Sequence, residues 1–525
     1  MKLRSLTVFM FFLTACLSAA GQVQNGDFRF KVDTDPVFFV SNPAALSAFR
    51  GHISVAEVAF SKENGGLIAL HQSPDSYTAG ASTESYVSIS DRLSFHGKLR
   101  WSYFSGQQMG GPVFIDPDFN PVSFLESSTA NLGRKNHETY ALTGAMAYRF
   151  SDKWSAGLSL DYESADQTKV KDPRFSSILM DMKVKAGLSF RPSERLMLGL
   201  ALLYRSNIEQ LRGGIYGTTE KQYFIYADKG GYYGTMSELT GEYNYVPLNN
   251  FRPMNNSFAG FGLQIAGKSF SSELELMYRS GFWGTKSSSK PIFFEFSGIV
   301  TSYKGRFLKR HGDGMHRLAL DLDFESLGNN ENIFSYVTPP GQDTRVEYSG
   351  SNHILDRHRA SAELSYVWYS DLDGYLPRFS AGATVSGKMV SRSTVLYPFT
   401  RKSDTESLLA ELFADKSIFA GRSVFTVSLS GAFRTGFGTP KEDAVLVPGA
   451  SSGYISFDDY LYRQFEYDTA SALSAGAGFR YSYVVSARFV PYIKVSDNFS
   501  AMLHSPEYLS GGTRNVALIT LGCSF

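Results

Sequence analysis

Three short motifs contain residue types that catalysis or metal binding requires. Residues 449–453 read Gly-Ala-Ser-Ser-Gly, which matches the G-x-S-x-G string around the serine nucleophile of many hydrolases. In those enzymes the string joins a strand to a helix, whereas here it lies in a glycine-rich loop, so Ser451 is not expected to be catalytic. His353 and His358 lack the spacing of a zinc-binding helix. Residues 371–374 begin like a calcium loop but lack its later glutamate. We therefore predict no catalytic residue, no metal site and no cofactor, and the protein is not expected to be an enzyme.

Charged residues at alternate positions form a different kind of candidate site. In a strand they would share one face, and that face could line a barrel lumen. The candidate lumen-lining residues are Asp161, Glu163, Asp181, Lys183, Lys185, Glu273, Glu275, Arg279, Arg317, Asp321, Asp323, Glu325, Arg359 and Glu363. Their mixed signs favour a charge network in a wet or plugged interior. The alternative is a charged constriction that selects solutes, as rings of charge do in pores.

The elements that must position these side chains are strands with strict alternation of polarity. Residues 93–103 alternate between apolar and polar residues without interruption, and residues 154–163, 180–191, 317–325 and 359–368 repeat the pattern. Successive strand side chains point to opposite faces, and ~9–11 tilted residues cross a bilayer core. The apolar rows are therefore predicted to face lipid and the polar rows to face a lumen.

The connections between these segments alternate between tight and long. Tight turns are predicted at residues 90–92, 151–153, 192–195, 267–269 and 371–374. Long connections are predicted at about residues 106–136, 165–176, 207–256, 281–290, 328–356, 393–404, 435–468 and 497–513. Short periplasmic turns and longer outer loops are typical of outer-membrane barrels. The sequence thus predicts an all-β fold: a transmembrane antiparallel β-barrel of about 18–20 strands over residues 51–525, preceded by a periplasmic or plug segment at 21–50.

Composition and the N-terminus are consistent with an exported membrane protein. The 51 Lys+Arg against 50 Asp+Glu exclude a strongly basic nucleic-acid-binding surface. Two cysteines, Cys16 and Cys523, exclude a disulfide framework and a cysteine-based zinc site. Residues 1–20 combine basic residues, an apolar core and small residues, as in a signal peptide. Residues 13–16 also fit a lipobox, in which Cys16 would be lipidated, and this alternative stays open.

Aromatic residues are concentrated in the longest predicted loops. Tyrosine offers a broad amphipathic contact at low entropic cost, which suits recognition of a ligand or partner. The candidate recognition residues are Tyr223, Tyr226, Tyr232, Tyr233, Tyr454, Tyr460 and Tyr462. The alternative is that some of these rings extend the barrel wall above the membrane.

Two parts of the sequence resemble known families. Residues 41–46, Ser-Asn-Pro-Ala-Ala-Leu, resemble the segment that begins long-chain fatty-acid transporter (FadL-like) and PorV-type barrels. Over nearly its full length the chain is similar to an uncharacterised Gram-negative outer-membrane barrel family defined by a domain of unknown function. The C-terminal Phe525 resembles the signal read by the barrel-assembly machinery. These resemblances imply an outer-membrane location and a barrel fold.

Three functions are compatible with such a barrel. A barrel of this size encloses a channel unless it is plugged, which favours passage or uptake of a small molecule, including a hydrophobic one. The alternative is a non-conducting barrel that acts as a binding or assembly scaffold for a surface or periplasmic partner, and an enzyme is the third. Expected partners are outer-membrane lipid, lipopolysaccharide, the barrel-assembly machinery, and a small-molecule substrate or partner protein, but no nucleic acid.

Overall fold

The computed structural model describes residues 27–217, 221–241, 244–372, 375–451, 453–486 and 489–525. The predicted signal peptide and Cys16 lie outside these residues. The strands are β1 (His52–Gly65), β2 (Asp75–Ser90), β3 (Leu93–Met109), β4 (Ser123–Glu126), β5 (Gly133–Arg149), β6 (Trp154–Lys169), β7 (Ser176–Ser193), β8 (Leu196–Arg212), β9 (Phe224–Asp228), β10 (Tyr233–Glu238), β11 (Arg252–Gly267), β12 (Phe270–Gly284), β13 (Ile292–His311), β14 (Gly314–Val337), β15 (Arg345–Ser370), β16 (Phe379–Leu396), β17 (Phe399–Ala420), β18 (Ser423–Val445), β19 (Ile455–Ser456), β20 (Ala472–Tyr483), β21 (Val490–Met502) and β22 (Thr513–Ser524). The helices are α1 (Phe28–Thr34) and α2 (Asp458–Thr469), with 3₁₀ helices at Pro36–Phe38, Pro43–Ala48 and Thr129–Asn131.

Eighteen of these strands form one closed antiparallel barrel. Each strand pairs with its two neighbours, and β1 pairs with both β2 and the last strand, β22. Closure leaves no unpaired strand edge, which a bilayer would not tolerate. The predicted all-β transmembrane barrel of about 18–20 strands is confirmed.

The two faces of the wall have opposite polarity. Leu158 and Leu322 point outward with 49% and 38% of their surface exposed, as lipid-facing residues do when no lipid is counted. Asp161 and Asp321, an odd number of residues away on the same strands, contact inward-facing Thr143 and Arg306. Cys523 lies on the outward face of β22 and is partly exposed.

None of the helices in the described part of the chain is long and apolar enough to cross a membrane.

The wall is higher on one side than on the other. β14 and β15 have 24 and 26 residues, whereas β20 and β22 have 12 each. Two predicted long connections are therefore wrong: most of 328–356 is strand, and only residues 397–398 join β16 to β17 within 393–404. Above the membrane an outward-facing side chain need not be apolar. Strand pairing therefore continues there although the sequence no longer alternates between apolar and polar residues.

Chain segments fill both ends of the lumen. Residues 27–50, here called the N-terminal insert, cover the end at which the short turns lie, with Arg50 bonded to the Asp91 carbonyl in the β2–β3 turn. Parts of three outer loops, residues 110–132, 221–241 and 453–471, fold inward at the other end and are here called the outer insert. Their short strands form a second sheet in the order β19-β10-β9-β4.

The outer insert has an apolar core of its own. Phe114, Phe124 and Ile225 of the insert pack with Trp283 and Phe294, which point inward from β12 and β13, and all five are at most 1% exposed. A barrel wall whose inner face carries large apolar residues at this level must bury them against something, because water would otherwise contact them. The inserted loops provide that surface.

Candidate functional site

The N-terminal insert begins with a buried ion pair. Asp27 caps α1 by accepting from the backbone N–H groups of Arg29 and Phe30 at 3.0 and 3.2 Å. Its other carboxylate oxygen accepts from Arg480 of β20 at 2.8 Å. Burial alone would raise the pKa of Asp27, but Arg480 and the cap hydrogen bonds outweigh burial and hold this pKa below its usual value. The start of the insert is thus fixed to the wall by charge.

The middle of the insert is held by polar groups of the opposite wall. The Ser41 N–H donates to Glu273 at 2.7 Å, and Lys185 donates to the Ser41 hydroxyl at 2.5 Å. The Asn42 side chain donates to the Leu188 and Leu200 carbonyls at 3.2 and 3.3 Å. These contacts join the insert to β7, β8 and β12.

The Asn-Pro segment itself has a local structural role. The Asn42 side chain accepts from the Ala44 N–H at 2.9 Å and so caps the 3₁₀ helix that Pro43 begins. This helix lies so close to β6 that a Cβ at Gly157 would be 2.5 Å from the Ala44 nitrogen. Glycine at position 157 is therefore required for the insert to reach the wall.

The tip of the outer insert reaches deep into the barrel. Arg357 donates to the carbonyls of Phe119 and Asn120 at 3.0 and 2.7 Å, and Arg279 donates to the Phe119 carbonyl at 3.0 Å. Both guanidinium groups also bond to Glu325, at 2.7 and 2.6 Å. The Phe119 ring lies 4.4 Å from the Arg279 guanidinium, within cation–π range. One loop tip thus caps a buried charge cluster in which two guanidinium groups share one carboxylate.

Further out, ion pairs tie the inserted sheet to the wall. Lys229, which follows β9, bonds both Glu331 oxygens at 2.8 Å. Arg401 on β17 bonds Asp443 at 2.6 Å and donates to the Gly231 carbonyl at 3.1 Å. Buried or half-buried pairs of this kind fix orientation more than they add net stability.

A water-accessible chamber remains along β14–β18, beside Asp118 of the outer insert. The side chains of Lys388 and Asp118 are 48% and 50% exposed, whereas those of Arg279 and Arg357 on the filled side are 1% and 3% exposed. The chamber has a volume of about 390 Å³ and is lined mainly by charged and serine residues, including Asp323. Strand alternation explains the lining, since these residues are the inward members of their strands.

The structure places every predicted lumen residue on the inner face. Most are paired: Asp161 with Thr143, Glu163 with Arg100, Asp181 with Arg205, Lys183 and Lys185 with Glu275, Glu273 with Ser41, Arg279 with Glu325, Arg317 with Asp33, Asp321 with Arg306, Asp323 with Ser302, and Arg359 with the Asp118 carbonyl. Glu363 is exposed to the chamber. Their part in solute selection stays a prediction.

A protein-family model covers residues 43–525. The chain belongs to DUF6850, a family of unknown function. The expectation of an uncharacterised outer-membrane barrel family is thus confirmed. Comparison with curated protein sequences gives no match.

Three solved structures show low similarity to this DUF6850 barrel. The ferric preacinetobactin receptor BauA of Acinetobacter baumannii has 8% identity and a TM-score of 0.38, with 90% of this chain and 80% of that chain covered. The outer-membrane transporter YddB of Escherichia coli has 8% identity and a TM-score of 0.39, with 90% and 80% covered. A Pseudomonas aeruginosa FadL homologue has 10% identity and a TM-score of 0.29, with 97% and 99% covered. Such scores carry no inference about ligand or mechanism.

The candidate recognition tyrosines of the DUF6850 barrel are inside the outer insert. Tyr223, Tyr226, Tyr233 and Tyr460 are buried, and Tyr232, Tyr454 and Tyr462 are partly buried. The Tyr226 hydroxyl donates to the Ile455 carbonyl at 2.7 Å. In this conformation the buried rings contact other residues of the protein, and their role in recognition stays a prediction.

Several site residues were not among the sequence candidates. Lys388 and Arg434 line the chamber, and Arg357 holds the loop tip. Extending the alternation along β15, β16 and β18 would have found all three, because they occupy inward positions. No local signal marks Phe119, because an irregular loop has no periodicity from which to infer where its side chains lie.

Within the described ranges no group of histidine, cysteine, aspartate and glutamate residues is arranged to hold a metal ion. The G-x-S-x-G segment lies in the loop after β18, and Ser452 falls outside the described residues. His353 pairs with Asp356 at 3.1 Å on the outer part of β15, where both are exposed.

Proposed function

We propose that this barrel passes a small polar solute across the outer membrane, with both inserts closing the lumen between transport events. The observation that carries the proposal is the charged, water-accessible chamber of about 390 Å³ along β14–β18. A barrel used only as a rigid support has no need of a wet interior cavity, whereas binding pockets of about 300–1,000 Å³ are typical for small molecules. The five charged side chains of the lining favour a polar solute over a hydrophobic one.

The mode of closure supports a movable gate. Eighteen strands pair completely with one another, so neither insert contributes a strand to the wall. The N-terminal insert is held by hydrogen bonds such as those from Asn42, by the Asp27–Arg480 ion pair, and by small apolar contacts of Phe28 and Phe39 with the wall. Water can replace the polar contacts at a net cost of about 0.5–1.5 kcal/mol for each neutral hydrogen bond, and exposing each large apolar side chain adds about 1.5–3 kcal/mol. Release of the insert would leave the barrel intact.

One observation favours a non-conducting scaffold instead. The outer insert shares a continuous apolar core with the wall, which includes Phe114, Phe124 and Trp283. Exposing such a core costs about 1.5–3 kcal/mol for each large side chain, so its complete withdrawal would be slow. In the transport proposal the loop tip around Phe119 is the only part of the outer insert that moves, and the sheet behind it stays in place.

Solute flux into proteoliposomes tests the choice between these functions. The purified full-length protein should admit small polar solutes, and the rate should fall as solute size approaches the chamber volume. Matched liposomes that contain heat-unfolded protein give the background. If folded protein, identified by its faster migration on unheated gels, admits no solute and carries no current in planar bilayers, the scaffold function is the correct one.

A further inference from the structure

The chamber has one acidic side and one basic side. Asp321 and Asp323 of β14 and Glu363 of β15 form the acidic side, while Lys388 of β16 and Arg434 of β18 form the basic side. Neighbouring strands are about 4.8 Å apart, so the two sides are separated by one to four strand spacings. Among the charged lining residues, the acidic ones therefore lie on β14 and β15 and the basic ones on β16 and β18. On β13, Arg306 and Lys304 are next to the acidic side.

The acidic side has more negative charge than its partners neutralise. Asp321 and Glu363 are directly opposite each other on adjacent strands, an arrangement that is unfavourable for like charges. Arg306 pairs with Asp321 at 2.8 Å, and Ser302 donates to Asp323 at 2.6 Å. Among the described residues no cationic group lies within ion-pair distance of Glu363, which is exposed to the chamber. A cation in the chamber would relieve this repulsion.

The basic side lacks acceptors. The Nε and Nη2 atoms of Arg434 are shielded from solvent and have no hydrogen-bond partner in the described part of the chain. The Tyr467 ring lies 4.8 Å from the Arg434 guanidinium and covers one of its faces. The N–H groups of a guanidinium point outward in its plane, so this ring does not accept hydrogen bonds from them. Lys388 has one weak ion pair, 3.7 Å from Asp118 of the outer insert. Buried guanidinium donors without acceptors are costly. Because Arg434 lines the chamber, rotation of its side chain toward the chamber would let an anionic group there satisfy these donors.

We infer that the chamber is a binding site for a small zwitterion whose ammonium and carboxylate groups are several bonds apart, as in a short peptide. The ammonium group binds at Glu363 and Asp323, and the carboxylate binds at Arg434 and Lys388. The volume of about 390 Å³ accommodates a solute of this size. The inference rests on the proposed function, since it names the class of polar solute that the barrel passes.

Four probes that share one glycylglycine backbone separate the two charges. Glycylglycine is the zwitterion, N-acetylglycylglycine the anion, glycylglycinamide the cation and N-acetylglycylglycinamide the neutral form. Ligand-observed NMR on the full-length protein in lipid nanodiscs gives their dissociation constants. We expect glycylglycine to bind at least about tenfold more tightly than the neutral probe, because each of its charged ends makes charge-assisted hydrogen bonds that the neutral probe cannot make. Equal affinity for all four probes would overturn the inference without any mutation.

Two variants assign the ends of the site. Glu363→Gln should lower glycylglycine affinity to that of the anionic probe, and Arg434→Gln should lower it to that of the cationic probe. Arg100→Gln is the matched control, since Arg100 faces the lumen outside the chamber and pairs with Glu163. A loss in the control equal to that in Arg434→Gln would overturn the site.

Binding and flux separate this inference from the proposed function. If glycylglycine binds preferentially but does not enter proteoliposomes, the binding site is supported and the transport function is contradicted. Entry of all four probes at one rate, with equal affinities, would retain transport and overturn the site.

Discussion

The hydroxyl oxygens of Ser47 and Ser155 lie 2.8 Å apart, and both side chains are at most 2% exposed. Ser47 is in the last 3₁₀ turn of the N-terminal insert, and Ser155 is the second residue of β6. This buried contact seats the insert on the barrel wall at the end that carries the short turns. Two small side chains in contact also provide a position at which the insert can be locked covalently.

A disulfide at this contact should stop transport if the N-terminal insert moves. The double variant Ser47→Cys/Ser155→Cys, when oxidised, is expected to lose most solute flux into proteoliposomes, and a reductant should restore it. The single variant Ser47→Cys is the control, since Cys523 faces outward and cannot reach the insert. Unchanged flux in the fully oxidised protein would mean that the solute passes without movement of the insert.

Arg357 should control the mobility of the loop tip. Arg357→Gln removes the charged hydrogen bonds to the Phe119 and Asn120 carbonyls. Opening of the tip should become easier by about 2 kcal/mol, which corresponds to roughly thirtyfold faster amide exchange. Hydrogen exchange with mass spectrometry over residues 114–122 measures this. Arg100→Gln should leave exchange unchanged there, and equal protection in wild type and Arg357→Gln would contradict the anchoring role.

Lipid-facing and lumen-facing substitutions on one strand should differ in cost. Leu158→Arg places a charge on the outward face of β6, at about 2–4 kcal/mol near the bilayer midplane. Asp161→Asn removes a lumen charge whose bond from Thr143 an amide oxygen can still accept. Folded yield in liposomes, from heat-modifiable migration on gels, should fall for Leu158→Arg and change little for Asp161→Asn. The same holds for Leu322→Arg on β14. The reverse order would mean that the faces are exchanged.

The outer insert should be more stable at acidic pH than at neutral pH. Burial raises the pKa of Asp228 to about 6, although N–H groups such as that of Gly230, at 2.9 Å, oppose this shift. Because the folded pKa lies above the ordinary value of 3.8, the contribution of Asp228 to stability is complete below pH 3.8 and is lost as the pH rises through 6.

Protection factors of residues 224–238, corrected for intrinsic exchange at each pH, test this dependence. They should be higher at pH 5 than at pH 7.5. Asp228→Asn imitates the neutral form and should reduce the difference between the two pH values. An equal or larger pH effect in Asp228→Asn would assign the titration to another group.

The orientation of the barrel can be determined on intact cells. Gln342 is exposed in the hairpin between β14 and β15, and Asp152 is exposed in the tight turn before β6. Short turns face the periplasm in outer-membrane barrels. Cysteine at position 342 should therefore react with an impermeant maleimide, and cysteine at 152 should react only after lysis. If the cysteine at position 152 were labelled on intact cells, the short turns would face outward and the assigned orientation would be wrong.

The strands of the barrel wall, and the face on which their alternating residues lie, could be predicted from the sequence. Alternation such as that around Leu158 and Asp161 is a local property with a period of two, and lipid on one side and water on the other enforce it. The inward direction of Lys185, Glu273 and Arg359 follows from that period alone. The outer ends of β14 and β15 were not predicted as strand. No lipid requires their outward-facing residues to be apolar, so the sequence there does not alternate in polarity.

Tertiary structure alone decided what fills the lumen. Phe119 meets Arg279 and Arg357 across 160 and 238 residues of chain, and irregular loops carry no periodic pattern that predicts such contacts. The lumen charges are visible in the sequence, but which of them are paired depends on how far each inserted segment reaches. Arg357 is capped by the loop tip, whereas Glu363 on the same strand faces water. A local pattern therefore fixes the face on which a charge lies, while only the packing of distant segments decides whether that charge is neutralised or left for a solute.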